Sequence, residues 1–371
     1  MFRHLNGQVA VLTAVHLGQQ LVTLGNLTLT TMVDAVKVLI TAPTRPEAYD
    51  LILFIGRGEM FGQNQPVTIT LYDLFAQDSQ LQVLVDEAQD SGLEPLEDIH
   101  TTTDPDLAFK DIDVAIMLDT IEAASYAHKN ERLKQCWQVY RRHGKYLDKY
   151  AKQTTKIIVT GDPVNTNAYI LSKYTPSLPK SCITGLVRMD QNRATFQVAN
   201  KLNAPVEAVK NVLIWGNAGS GAFIDITHSK VQMENGAFKP ATELINNEHW
   251  MKHVLQPYVQ NGSSECTPAD SIAILKAKAI IDHVNDLWFG TNEDWTSMVV
   301  YSNGEYGTPV NFFSGYPVII PQPKGNPIIV ADLTFEDWGE SQFERTAHEM
   351  ADFEKRILQL CECADEITDD L

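Results

Sequence analysis

Four short apolar runs constrain this chain more than any other feature of it. They are "AVKVLIT" (Ala35 to Thr41), "VTITLYDL" (Val67 to Leu74), "DVAIML" (Asp113 to Leu118) and the start of "KIIVTGDPVN" (from Lys156). Each is strand-length and nearly continuous in hydrophobicity, as strands buried on both faces of a parallel sheet are. Between them lie segments of helical spacing: Glu47 to Gly62, which ends at glycines, "LQVLVDEAQDSG", and a long stretch from about Glu131 to Ala151. Such alternation predicts a parallel sheet with right-handed crossovers. Beyond it the pattern changes. "VLIW", "SMVVYS" and "YPVII", followed by an amphipathic C-terminal helix in "SQFERTAHEMADFEKRILQLCE", predict a second, α+β portion.

The balance of charge narrows the partners. Lys plus Arg number 29 against 47 Asp plus Glu, a formal charge of −18. A nucleic-acid or anionic-membrane partner needs a basic face, so neither is expected. No run is long and apolar enough to span a bilayer. The 5 cysteines (Cys136, Cys182, Cys266, Cys361, Cys363) are odd in number and scattered, which suits reduced thiols. No metal site is expected, because Cys361 and Cys363 in the acidic tail have no further ligands at suitable spacing. Residues 1–31 hold no acid, no serine and one arginine, Arg3. They read as an upstream extension; a mitochondrial presequence, the weaker reading, calls for more Arg and Ser. The expected location is cytoplasmic.

The order strand, tight turn, helix, strand ending in an acid is that of a Rossmann-type dinucleotide-binding domain. Glycines in the turn let the backbone approach a pyrophosphate, and the acid receives the ribose hydroxyls. The acid is present as Asp73. The turn "TAPTRPEA" (Thr41 to Ala48) has no glycine.

Three later stretches are "GDPVNTNAYILSKYTPSLP" (Gly161 to Pro179), "VRMDQNRATFQVANKLNAPVEAVKNVLIWGN" (Val187 to Asn217) and "DHVNDLWFGTNEDWTSMVVYSNGEYGTP" (Asp282 to Pro309). Together they resemble the cytosolic branch of the NAD-dependent malate dehydrogenases, from about Asp34 to the C-terminal helix. The resemblance implies an N-terminal extension (1–31), a Rossmann-type doubly wound domain (32–186) and a lactate/malate dehydrogenase C-terminal-type domain (187–371). It also implies NAD as cofactor and a dimer packed through helices.

The chemistry it implies needs a histidine base oriented by an aspartate, an arginine that clamps a carboxylate, and arginines on a mobile loop. Transferred one position at a time, the orienting aspartate falls on Asp190 and the fixed arginine on Arg193. The asparagine near nicotinamide and substrate falls on Asn165, while another asparagine of that loop becomes Asp162. The base falls on Ala218. Ala123 and Ala124 stand in place of the paired loop arginines, and Lys129 replaces a later one, without Arg's planar fork. In the phosphate turn Ala42 and Arg45 replace glycines, and Glu47 brings negative charge to the helix N-terminus, in competition with a phosphate. A β-carbon at Ala42 is expected to restrict the turn. His228 aligns with a separate histidine and is expected to be structural.

The reading that follows is a family member whose chemistry has been lost, folded and paired with itself or with an active paralogue. Two alternatives stand beside it. One is a residual NAD-dependent oxidoreductase acting on malate, oxaloacetate or another 2-oxo acid, supported by Asp190, Arg193, Asn165 and Asp73. The other is a structural or heterodimer-partner subunit. Trp215, Trp288 and Trp338 are expected to be packing residues, and Cys136 and Cys182 inert thiols.

Overall fold

The strand–helix alternation builds a doubly wound sheet in the computed structural model, which describes residues 33–74, 78–121, 129–261 and 269–368. Its parallel half consists of β1 (Val36–Thr41), β2 (Val67–Tyr72), β3 (Leu96–Thr102), β4 (Val114–Met117), β5 (Lys156–Val159) and β6 (Ile183–Gly185). They lie in the order β3-β2-β1-β4-β5-β6. β1 is the point of reversal, with Thr41 opposite Tyr72 on one side and Met117 on the other. A crevice outside the carboxyl ends of β1 and β4 is where ligands bind in sheets of this order. β3 has no apolar run to announce it: it is an edge strand with only Ile99 buried. "DVAIML" and "KIIV" therefore supply the fourth and fifth strands, not the third and fourth.

The first helix, α1 (Pro46–Gly56), stops short of the Glu47-to-Gly62 span expected from sequence. Gly58 and Gly62 take positive φ (75° and 93°) in the turns that follow it. α2 (Asp78–Asp90), α3 (Lys129–Tyr150) and α4 (Val164–Lys173) complete the parallel half. α5 (Arg188–Leu202), α6 (Ala269–Phe289) and α7 (Asp337–Thr368) belong to the remainder. Among the described residues no helix is long and apolar enough to cross a membrane.

Beyond Leu186 the sheet continues in antiparallel pairing, through β8 (Leu213–Gly216), β9 (Ala222–Asp225), β12 (Thr296–Asn303), β13 (Val310–Ile319) and β14 (Ile328–Ile329). The ladder passes from one half to the other at a single register pair, Gly185 with Val299. β7 (Val209–Lys210), β10 (Lys230–Gln232) and β11 (Phe238–Pro240) form a separate small sheet.

Alternate side chains of each strand feed two cores. Leu39, Met117, Ile157 and Val159 face α3 residues such as Cys136 and Tyr140. Val38, Ile40, Ile116 and Ile158 face Leu51 and Ile55 of α1 and Ile280 of α6. Trp215 is fully buried, its Nε1–H donating to Asp225 Oδ2 at 3.2 Å, amid the rings of Tyr306, Phe335 and Phe343. Trp288 is buried against Phe61, and Trp338 meets Phe223. Cys136 and Cys182 are buried free thiols, and burial pushes the Cys136 thiol up to about 12.

Candidate active site

At the end of β1 the chain turns at Ala42, whose φ of 49° lies in the left-handed region despite its side chain. The backbone thus keeps a conformation that glycine adopts freely, contrary to the restriction expected from the β-carbon. Arg45 N–H closes the turn on Ala42 O at 3.1 Å, and α1 begins at Pro46, with Arg45 as its N-cap.

Glu47 lies in the first turn of α1, only 3% exposed. Lys276 of α6 donates to its Oε1 at 2.5 Å, and Arg45 Nε lies 3.9 Å from the same oxygen. Burial alone would push the Glu47 carboxyl up. The Lys276 ammonium, a bond from Glu47's own N–H and the Arg45 charge reverse that and hold it below its usual range.

A second carboxylate, Asp119, lies just beyond β4. The Thr41 hydroxyl donates to its Oδ2, His143 Nε2 lies 3.2 Å from its Oδ1, and Tyr140 donates to its backbone oxygen at 2.7 Å. Burial raises the Asp119 carboxyl, but His143 and Thr41 together hold it below the ordinary value. Gly161 presses on the same segment: a β-carbon there would stand 1.8 Å from Asp119 O. Asp73, half-buried, follows the last residue of β2.

On the other side of the β5 end a cavity of about 330 Å³ brings together Asp162, Asp190, Arg193, Ala218 and Lys276. Asp190 sits in the first turn of α5, and Ala218 follows β8 after Gly216, whose φ is 85°. The Asp190 Oδ2 accepts the backbone N–H of Gly219 at 2.9 Å. Burial pushes this carboxyl up, opposed by the Gly219 N–H and the Arg193 charge.

Asn165 is turned to the protein itself. Its amide donates to Gly216 O (3.2 Å) and Phe313 O (3.0 Å), and its Oδ1 accepts the Ala218 N–H at 3.3 Å. Asp162 is matched by Arg132, which forms an ion pair with it and donates to Ile121 O at 2.6 Å. His228 lies elsewhere, its Nε2 3.1 Å from Thr334 O and its ring against Trp295. Ala123 and Ala124 lie outside the described residues, as does the side chain of Lys129, the first residue of α3.

Comparison with known proteins follows the same outline. Residues 187–359 match the family model described as lactate/malate dehydrogenase, alpha/beta C-terminal domain. Cytoplasmic malate dehydrogenase of Taenia solium is 40% identical over 325 residues, 86% of this chain and 97% of the relative. The chain belongs to the lactate/malate dehydrogenase family. The human cytoplasmic malate dehydrogenase is 36% identical, over 86% of this chain and 96% of its own length. A malate dehydrogenase structure from Naegleria fowleri superposes with a TM-score of 0.80 at 25% identity, covering 89% of this chain and 100% of that one. So does Trichomonas vaginalis lactate dehydrogenase in complex with NADH and oxamate, with a TM-score of 0.80 at 26% identity over 88% of this chain and 99% of that one.

Within this family frame, three residues escaped the reading from sequence: Lys276, His143 and Arg132. Arg132 had a signal, since a cation in the first helical turn after the loop lies within reach of the neighbouring loop's Asp162. Lys276 had none, because 229 residues separate it from Glu47.

Proposed function

We propose that this protein is a lactate/malate dehydrogenase-family member without malate dehydrogenase activity. The observation that carries the reading is the bond from Gly219 N–H to Asp190. The carboxylate aligned with the family's base-orienting acid is engaged by main chain, beside the methyl group of Ala218. No histidine lines the cavity among the described residues. General acid–base catalysis is worth roughly 10²–10⁴-fold, and the loop arginines replaced by Ala123 and Ala124 remove a further contact with the substrate.

The fold then serves as a non-catalytic subunit, in the cytoplasm, paired with itself or with an active relative. A face for pairing is offered by Tyr49 of α1, Phe196 of α5 and Ile274 and Leu275 of α6, 40%, 51%, 45% and 48% exposed. These three helices pack on one another, α6 against both α1 and α5. A mixed dimer on size exclusion with an active family member supports partnership; strict self-association removes it.

The second reading, a residual 2-oxo-acid reductase, is favoured by Asp190 and Arg193 opening onto one cavity. An assay of NADH oxidation by the full chain with oxaloacetate, pyruvate and other 2-oxo acids decides between the two. The expected rate is background. Turnover that disappears in Arg193→Ala would sink the proposal and establish the reductase.

A further inference from the structure

The two carboxylates at the switch point have a role that the loss of the base does not explain. A pyrophosphate at the carboxyl ends of β1 and β4 needs three things: backbone that it can approach, unpaired N–H groups at the helix N-terminus, and no competing negative charge. Each requirement is failed by a specific residue. Ala42 carries a β-carbon on the left-handed residue of the turn. Pro46 removes one helix N-terminal donor, and the buried Glu47 side chain brings a carboxylate into the first turn, where the phosphate's charge would lie. Asp119 holds the Thr41 hydroxyl at the very end of β1. The residues present therefore do not fit the phosphates of a dinucleotide.

We infer that the chain fills its own dinucleotide crevice: Glu47, fixed by Lys276, takes the anion position at the helix N-terminus, and Asp119 closes the neighbouring strand end. The arrangement is an internal replacement rather than a gap, because the cations of the crevice are committed as well. Lys276 comes from the other half of the chain, so the pair also ties α1 to α6, which pack on each other. A buried ion pair of this sort persists only where both partners are present, since either one alone is an uncompensated buried charge. Asp119 is likewise met from within the protein, by the Thr41 hydroxyl and the His143 ring.

This inference concerns the crevice at β1 and β4, the proposed function the Asp190–Ala218 cavity beside it, and the two fail separately. The probes are NADH, followed by nicotinamide fluorescence, and inorganic pyrophosphate, followed by calorimetric titration, both with the full chain. The wild type is expected to show no saturable binding of either up to about 1 mM. Glu47→Gln keeps the side chain's size, removes its charge and releases Lys276. Pyrophosphate affinity is expected to rise about tenfold or more, as a charge-assisted contact at a helix N-terminus gains an anion.

Since a lone Lys276 destabilises the fold, E47Q/K276Q serves as the second variant, checked by circular dichroism. It leaves no unpaired charge and is expected to gain pyrophosphate affinity more weakly. Micromolar NADH binding by the wild type overturns the inference outright. So does a folded Glu47→Gln or E47Q/K276Q protein that binds pyrophosphate no better than wild type. Neither result alone restores the missing base, which only the turnover assay tests.

Discussion

Glu47 and Asp190 are both buried acids in the first turn of a helix, and they end up with opposite behaviour. Glu47 has an ammonium at 2.5 Å and is held below the ordinary carboxylate range. Asp190 has one backbone N–H at 2.9 Å and the more diffuse help of Arg193, and is held above it. Burial penalises the charged form in both. What differs is a fixed cation in contact, and that decides the sign. In one region of the molecule a carboxylate serves as a structural bond; in the other a carboxylate opens onto a cavity with its charge incompletely matched.

The sharpest way to break this comparison is to take the cation from Glu47. Lys276→Met is expected to lower stability by about 3–5 kcal/mol in urea denaturation, whereas the pairwise change E47L/K276M is expected to recover most of it. An equal loss in both would mean that packing, not charge, ties α1 to α6. A smaller effect is expected at the other acid. Asp190→Ala leaves the Gly219 N–H unsatisfied and should cost about 1–3 kcal/mol, while Asp190→Asn keeps an acceptor and stays near wild type.

The two acids should also separate by pH. Glu47 has a lowered folded value, so its contribution is present above the ordinary carboxylate value, about 4, and is lost as pH falls through the folded one. Asp190 has a raised folded value, so its contribution is present below the ordinary value and is lost as pH rises through the folded one. Denaturation midpoints followed from acid to neutral pH should therefore lose a rising limb in Glu47→Gln and a growing penalty in Asp190→Asn. The same slope in both variants would erase the distinction. The smallest expected effect is on turnover: Ala218→His alone should leave malate oxidation at background, because the crevice beside it remains filled.

Much of the parallel half could be read from the chain because double-sided burial writes itself as continuous hydrophobicity, as in "AVKVLIT". β3 could not, since an edge strand with only Ile99 buried carries no such run. The turn after β1 misled in a different way. Its missing glycines suggested a changed backbone, yet Ala42 holds the left-handed conformation at φ 49°, its N–H bonded to Tyr72 O and its carbonyl to Arg45 N–H. Local residue preference is overridden there by its surroundings. At the cavity, the family resemblance named Asp190 and Arg193, and both line it. The bond from Gly219 to Asp190, the reach of Lys276 to Glu47 and the pairing of His143 with Asp119 are tertiary facts. No periodicity encodes them.

The single register pair by which the sheet passes from its parallel to its antiparallel half has a consequence for cooperativity. Gly185 sits there so tightly that an added β-carbon would lie 2.5 Å from the Val164 side chain and 2.8 Å from that of Val299. With nothing between them, one hydrogen-bonded ladder runs on through both halves, and fraying on either side exposes the apolar faces of the other. The described fold should thus melt as one cooperative unit, in a single calorimetric transition with equal van't Hoff and calorimetric enthalpies. Gly185→Ala, which wedges the seam, is the change that would divide it into two.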